Sequence, residues 1–218
     1  MTVNTVIAID GPSAAGKGTL ARRLAAELGL PYLDTGLLYR AVGRKVLDAG
    51  GDPQDPMTAE TAARQLDPDD LARGDLRDSA ADAASSAVGA IPGVRAALLD
   101  FQRGFAARGG AVLDGRDIGT VIFPAASAKL FITANPIERA RRRWRELRDK
   151  GVAADLPAVE RELRARDERD AERASAPLRP ADDALVLDTT DLDAEAAFQA
   201  ALRAVRQRLG LARSDQPT

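Results

Sequence analysis

Nine consecutive residues, GPSAAGKGT, carry the clearest chemistry in the sequence. Gly11 and Gly16 let the main chain turn so that successive amide N–H groups point inward, and Lys17 adds a compact positive charge. Gly11, Pro12, Ser13, Ala14, Ala15, Gly16, Lys17, Gly18 and Thr19 are therefore the candidates for holding a nucleotide's phosphates. The common phosphate-binding pattern G-x-x-x-x-G-K-[ST] puts a hydroxyl directly after the lysine, where it reaches Mg²⁺. Here Gly18 takes that place, and the hydroxyl arrives one residue late as Thr19. Thr19 is expected to open a helix and cap an N–H or touch a phosphate. Any Mg²⁺ is then held mainly through water and nucleotide oxygens, which this ion tolerates.

A second set of candidates lies far along the chain. Arg166, Asp170 and Arg173 are spaced by four and three residues, so a helix presents two cations around one carboxylate. Arg139, Arg142 and Arg143 repeat the arrangement. Guanidinium groups bind phosphate through paired N–H donors. Glu138–Arg142, Glu146–Lys150 and Glu162–Arg166 are also i,i+4 pairs that solvate a helix, each worth about 0.2–0.5 kcal/mol. Asp114 stands either to organise hydrated Mg²⁺ or to bond its own turn. The sequence has no Cys and no His, which removes thiolate catalysis, the commonest general base and the commonest metal ligand. Proton acceptors are left to Asp and Glu, and a hard ion to oxygen ligands.

The elements that must position these groups follow from patterning. Val3–Asp10 is a β-branched run read as a buried strand, the loop 11–18 follows, and TLARRLAAELG has helical spacing with Gly29 as its stop. A short strand ends in the turn at 31–36, and a helix runs from Leu37 to Ala49. Residues 50–78, rich in Gly, Pro and Asp, read as a loose insertion with one short helix near 58–65. Helices near 79–90 and 93–107 are split by Pro92. Strands at 111–114, 128–133 and 184–190 alternate with helices at 135–149, 158–174 and 193–209, and the last residues read as frayed. Leu38 and Tyr39 read as core. This alternation predicts an α/β fold with a mainly parallel sheet, whose ligand sits at the carboxyl ends of the strands.

With 218 residues, 45% of them hydrophobic, one domain is expected. The net charge of −2 argues against a nucleic-acid partner. No basic start precedes an apolar segment, and no run approaches the ~20 apolar residues of a membrane span, so a cytoplasmic protein without membrane contact is expected. The absence of a large apolar surface signature points to a monomer.

GKGT in place of GK[ST] resembles the nucleoside monophosphate kinases. GPSAAGKGTLA, LDTGLLYRA, LDGRDIGTVIFPAA, KLFITA and RDERDAERASAPLRPADDALVLDTT together are similar to the bacterial cytidylate kinases, in the same order and over roughly residues 5–210. The resemblance implies a P-loop kinase fold: a five-stranded parallel sheet flanked by helices, with a monophosphate-binding insertion (about 50–107) and a lid (about 150–174) on a core of 1–49, 108–149 and 175–218. It implies ATP with Mg²⁺ as phosphoryl donor and CMP or dCMP as acceptor. Residue by residue, the loop 11–19 binds ATP with Lys17 at its centre. Thr35 and Arg40 match positions that contact the monophosphate, and Ser86 matches a serine on the cytosine. Arg116 is a substrate arginine with Asp117 beside it, and Arg166 and Arg173 grip the substrate while Asp170 contacts its sugar. Lys17, Arg116, Arg166 and Arg173 are then the catalytic cations. One departure stands out. Where many members carry a small antiparallel sheet in the insertion, this chain has LDPDDLARGDLR, without strand alternation. The rival readings are another small-molecule kinase acting on UMP, AMP or shikimate, and a nucleotide-dependent switch protein. The latter usually shows N-K-x-D or a strand ending in paired acids, and the sequence has neither.

Overall fold

The computed structural model describes residues 4–107 and 109–211. The predicted strand start at Val3, the predicted fraying of the last residues and the outer ends of the predicted core segments lie outside the described residues. The expected α/β architecture is present. Strands β1 (Thr5–Asp10), β2 (Tyr32–Asp34), β3 (Gly110–Gly115), β4 (Ala128–Thr133) and β5 (Leu185–Asp188) form one parallel sheet in the order β2-β3-β1-β4-β5. Between them run α1 (Lys17–Leu28), α2 (Thr35–Asp48), α3 (Pro56–Arg64), α4 (Pro68–Leu71), α5 (Ser79–Val88), α6 (Pro92–Ala106), α7 (Pro136–Asp149), α8 (Leu156–Glu172) and α9 (Ala194–Arg208). Among the described residues, no helix is long and apolar enough to cross a membrane.

Side chains alternate across a strand, and β1 uses both faces. Ile7 and Ile9 pack with Leu20 and Leu24 of α1 and Phe198, Leu202 and Val205 of α9. Val6 and Ala8 pack on the other face with Ala106, Ile118 and Ile122. Because β1 is buried between β3 and β4, its carboxyl end is a rigid base for the loop that follows. The chain runs from β1 to one side of the sheet and later returns to the other, so this end is the switch point where ligands of open α/β sheets bind.

Residues 50–78 are more ordered than their composition suggests. Asp55, Asp67 and Asp78 accept N-terminal amides of α3, α4 and α5, so the acidic residues read as loop formers are helix caps. Ala59, Ala62 and Ala63 of α3 pack with Leu38, Val42 and Val46 of α2 and Val94 and Leu98 of α6, giving the insertion its own core. No strand occurs among the described residues of 50–107. The arm formed by α7 and α8 has a much smaller apolar cluster, with Ala140, Val159 and Leu163 as its buried members. Helix α8 begins at Leu156, earlier than predicted, because Asp155 caps it and Pro157 sits in its first turn, where no N–H is needed.

Candidate active site

The loop after β1 fits a phosphate through its own backbone. Gly11 has φ 146°, and a Cβ there would lie 1.9 Å from the Ile132 carbonyl oxygen, so only glycine lets the loop lie against β4. Gly16 (φ 89°) precedes α1 directly, and the helix's first N–H groups open toward the loop. Lys17 is buried and donates to the Pro12 carbonyl at 2.7 Å. Burial, with Arg116 close by, lowers its pKa well below that of an ordinary lysine. Gly18 also has a local reason. A Cβ there would sit 3.3 Å from Asp114 Oδ2 and 3.6 Å from the Tyr32 hydroxyl, so the Asp114 carboxylate faces the space beside Gly18.

A cleft of about 290 Å³ opens beside this loop. Lys17, Arg40, Arg116, Arg166 and Arg173 all line it, although they come from α1, α2, the turn after β3, the last two turns of α8 and the residue that follows it. Eight cationic side chains against five carboxylates surround it, an excess suited to a polyanion. Asp170 holds the arginines in place. Arg116 Nε donates to its Oδ2 at 3.0 Å, while Arg166 Nε and Arg173 Nη1 lie 4.0 and 3.9 Å from its carboxylate. Arg116 also donates to Ser13 Oγ at 3.0 Å, which ties the array to the phosphate loop. Arg166 Nε and Arg173 Nη2 are buried with no protein acceptor, two donors left for an incoming anion.

Burial alone would raise the Asp170 carboxyl, but Arg116, Arg166 and Arg173 outweigh it and hold the group below the usual carboxylate range. Asp114 behaves oppositely: burial, reinforced by Asp34, pushes it up to about 7 despite Lys17 and Arg116. Asp10 is pushed up to about 6 by burial. Its oxygens accept the Ile118 and Gly119 amides at 2.8 and 2.7 Å and so pin the π turn Ile118–Ile122 that follows Asp117.

On the opposite flank of the loop lies a second cleft of about 570 Å³, between α1, α7 and the segment after β5. Arg142 donates to the Thr189 hydroxyl at 3.0 Å and to its carbonyl at 2.6 Å, and the Thr189 hydroxyl in turn approaches the Ala15 carbonyl at 3.3 Å.

Of the predicted positions, Ser13, Ala14, Gly16, Lys17, Gly18, Thr19, Thr35, Arg40, Ser86, Asp114, Arg116, Asp117, Arg166, Asp170 and Arg173 line the first cleft. Gly11 and Pro12 form the floor of the loop, and Ala15 faces the second cleft. The Thr35 hydroxyl donates to the Asp114 carbonyl at 2.7 Å, and Ser86 accepts from Arg169 at 3.3 Å. Arg139, one of the ambiguous arginines, is buried and structural, bonding Ser13 O at 3.1 Å and Asp167 at 2.6 Å. Leu38 is core as expected, whereas Tyr39 packs on the core and also lines the cleft. The sequence reading missed Arg95, which pairs with Asp117 and donates to the Gly89 carbonyl at 3.2 Å, and Asp82, which bonds Arg40 and Arg166. Neither lies in a motif whose spacing points to a ligand.

Comparison with known proteins agrees with this geometry. The solved structure of an uncharacterized protein from Eubacterium ventriosum superposes with a TM-score of 0.53 at 15% identity, covering 95% of this chain and 99% of that one, and shows the shared fold. The chain is 64% identical over 203 residues to a cytidylate kinase of Granulibacter bethesdensis, covering 93% of this chain and 97% of that one. It is 65% identical over 204 residues to a cytidylate kinase of Paramagnetospirillum magneticum, covering 92% and 97%. The family profile described as cytidylate kinase matches residues 7–207. With a glycine-rich loop and a converging arginine array on one parallel sheet, and matches across nearly its whole length, the chain belongs to the cytidylate kinase family.

Proposed function

We propose that the two clefts are the acceptor and donor halves of one phosphotransferase site, which moves the γ-phosphoryl group of ATP to CMP or dCMP. The observation that carries this reading is the convergence of Arg40, Arg116, Arg166 and Arg173 on the cleft that Lys17 also lines. Two polyanions facing one another need this much positive charge, held in advance, and little else.

The donor's base and ribose take the second cleft, and its phosphates pass over the loop 11–19 to Lys17. The acceptor's phosphate lies among the arginines. Its attacking oxygen is already anionic near neutrality, since a phosphate monoester's second pKa is about 6, so the lack of histidine costs nothing. The transition state spreads charge over three equatorial oxygens, and the Lys17 ammonium, the loop amides and the buried guanidiniums stabilise it. Mg²⁺, when bound, supplies further neutralisation of the donor's phosphates. Among the described residues no group of three or more His, Cys, Asp or Glu is placed to hold a metal. Asp114 faces the space beside Gly18, which suits an ion held largely through water.

At the far end of the cleft, Ser86, Arg95 and Asp117 meet the base. A carboxylate that accepts and a guanidinium that donates match cytosine, with its amino donor and ring-nitrogen acceptor. Uracil presents the reverse. In this reading the insertion (about 50–107) holds the base, and the lid (about 150–174), the outer part of the arm, closes over the phosphates and keeps water out. A coupled assay with ATP across CMP, dCMP, UMP, AMP and shikimate tests it. CMP or dCMP leads by about tenfold or more in kcat/KM. A lead for AMP or shikimate would overturn the assignment.

A further inference from the structure

Asp82, on α5, has no place in the motifs, yet it touches more of the arginine array than any residue except Asp170. Its Oδ1 lies 2.8 Å from Arg166 Nη1 and accepts from Arg40 Nη2 at 3.1 Å and Nε at 3.3 Å. Its Oδ2 lies 3.7 Å from Arg143 Nη2. One carboxylate thus gathers guanidiniums from α2, α7 and α8. The helix itself is fixed at its start by Asp78, whose Oδ1 accepts the Ala81 amide at 2.7 Å. One turn after Asp82 on the same face, Ser85 Oγ lies 3.4 Å from Arg166 Nη2.

The side from which Asp82 approaches matters. Arg40 lines both the main cleft and a smaller neighbouring cavity of about 120 Å³. Asp82 lines only the smaller one, together with Arg143 and Leu163. It therefore reaches Arg40 and Arg166 without itself lining the main cleft. Without a counter-charge, these two guanidiniums would repel each other and turn apart toward solvent. With it, they share one oxygen, Asp82 Oδ1, and Arg166 Nε remains without a protein acceptor.

We propose that Asp82 is a positioning residue for the acceptor's phosphate: a fixed negative charge that draws Arg40 of α2 and Arg166 of α8 together and turns their free N–H groups into the cleft. It touches neither nucleotide. The inference rests on the reading of the main cleft as the acceptor site.

Asp82→Asn keeps the shape and an acceptor oxygen but removes the charge. Steady-state kinetics on the full chain, with CMP and ATP varied separately, are expected to show KM for CMP raised about tenfold. KM for ATP stays within twofold and the melting temperature is little changed. Asp82→Glu, which restores the charge, recovers part of the loss. In an Arg40→Ala background the effect of Asp82→Asn on KM for CMP shrinks by half or more, since one arm of its action is gone. An unchanged or lowered KM for CMP in Asp82→Asn, an equal loss toward both nucleotides, or full additivity with Arg40→Ala would overturn the proposal. If Asp82→Asn is poorly folded, calorimetric binding of CMP to Asp82→Glu decides between the same outcomes. Failure of the unaltered chain to phosphorylate CMP would sink the functional reading instead, so the two failures are separable.

Discussion

The loop at 11–19 and the array of Arg40, Arg116, Arg166 and Arg173 both suit phosphate, yet they are assembled in different ways. The loop is nine consecutive residues, and most of its positive character comes from main-chain N–H dipoles at the start of α1. Dipoles carry no net charge, so the loop needs few counter-ions: Lys17 is its one ionised group, and a neighbouring carbonyl takes one of its donors. The array uses full charges from separate elements. It needs carboxylates to keep those charges together in the cleft, and Asp170 and Asp82 provide them. A local cradle made from backbone is stable by geometry, whereas a distributed cradle made from side chains is stable only through its counter-charges.

The strongest way to break the comparison is to remove the one charge of the loop. Lys17→Met is expected to lower kcat about 10³-fold or more while leaving the fold intact, since an apolar side chain of similar length costs no desolvation. Stopped assays together with calorimetry check this, and a folded variant with unchanged kcat would mean that the loop is misassigned.

In the array, Arg173→Ala is expected to cost about 10²-fold in kcat/KM for CMP, because Arg116 and Arg166 remain on Asp170 and share the load. The effect falls on the acceptor, so KM for ATP is unchanged. A loss confined to ATP would invert the two halves.

The smallest effect sharpens the contrast where loop and array meet, at Asp114. Its folded pKa of about 7 lies above the unfolded 3.8, so between those values the folded chain holds a proton that the unfolded chain has lost. The associated stability is fully present below about pH 4 and disappears as pH rises through 7. Asparagine does not titrate. Asp114→Asn and the unaltered chain should therefore melt alike near pH 4, and the variant should become progressively the more stable of the two as pH rises through 7. A difference independent of pH would show that the carboxyl is not desolvated as described.

These differences also explain what could be read in advance. The loop was legible because its logic is contained in nine residues between a strand and a helix, and the strand–helix alternation gave the sheet. Arg116, Arg166 and Arg173 were placed by family motifs, since their own charge spacing also fits a solvated helix. Asp82 and Arg95 were invisible. Asp82 meets Arg40 across 42 positions, and Arg95 meets Asp117 across 22, which no periodicity encodes. The segment 50–78 was misread as loose because its aspartates look like turn formers, and alanines at 59, 62 and 63 give only a weak apolar signal.

Arg139 carries one further consequence. Its guanidinium bonds the Ser13 carbonyl at the rim of the loop, the Ala134 carbonyl at the root of α7 and the Asp167 carboxylate on α8. Arg139 thus bolts the glycine-rich loop to the arm beside it. Any swing of α8 must pivot at Asp167 or tug on Ser13, so the end of the arm near Asp167 is held in register with the loop, while its outer part rests on a small apolar cluster. On the proposed reading, opening for exchange of nucleotides then leaves the glycine-rich loop undisturbed.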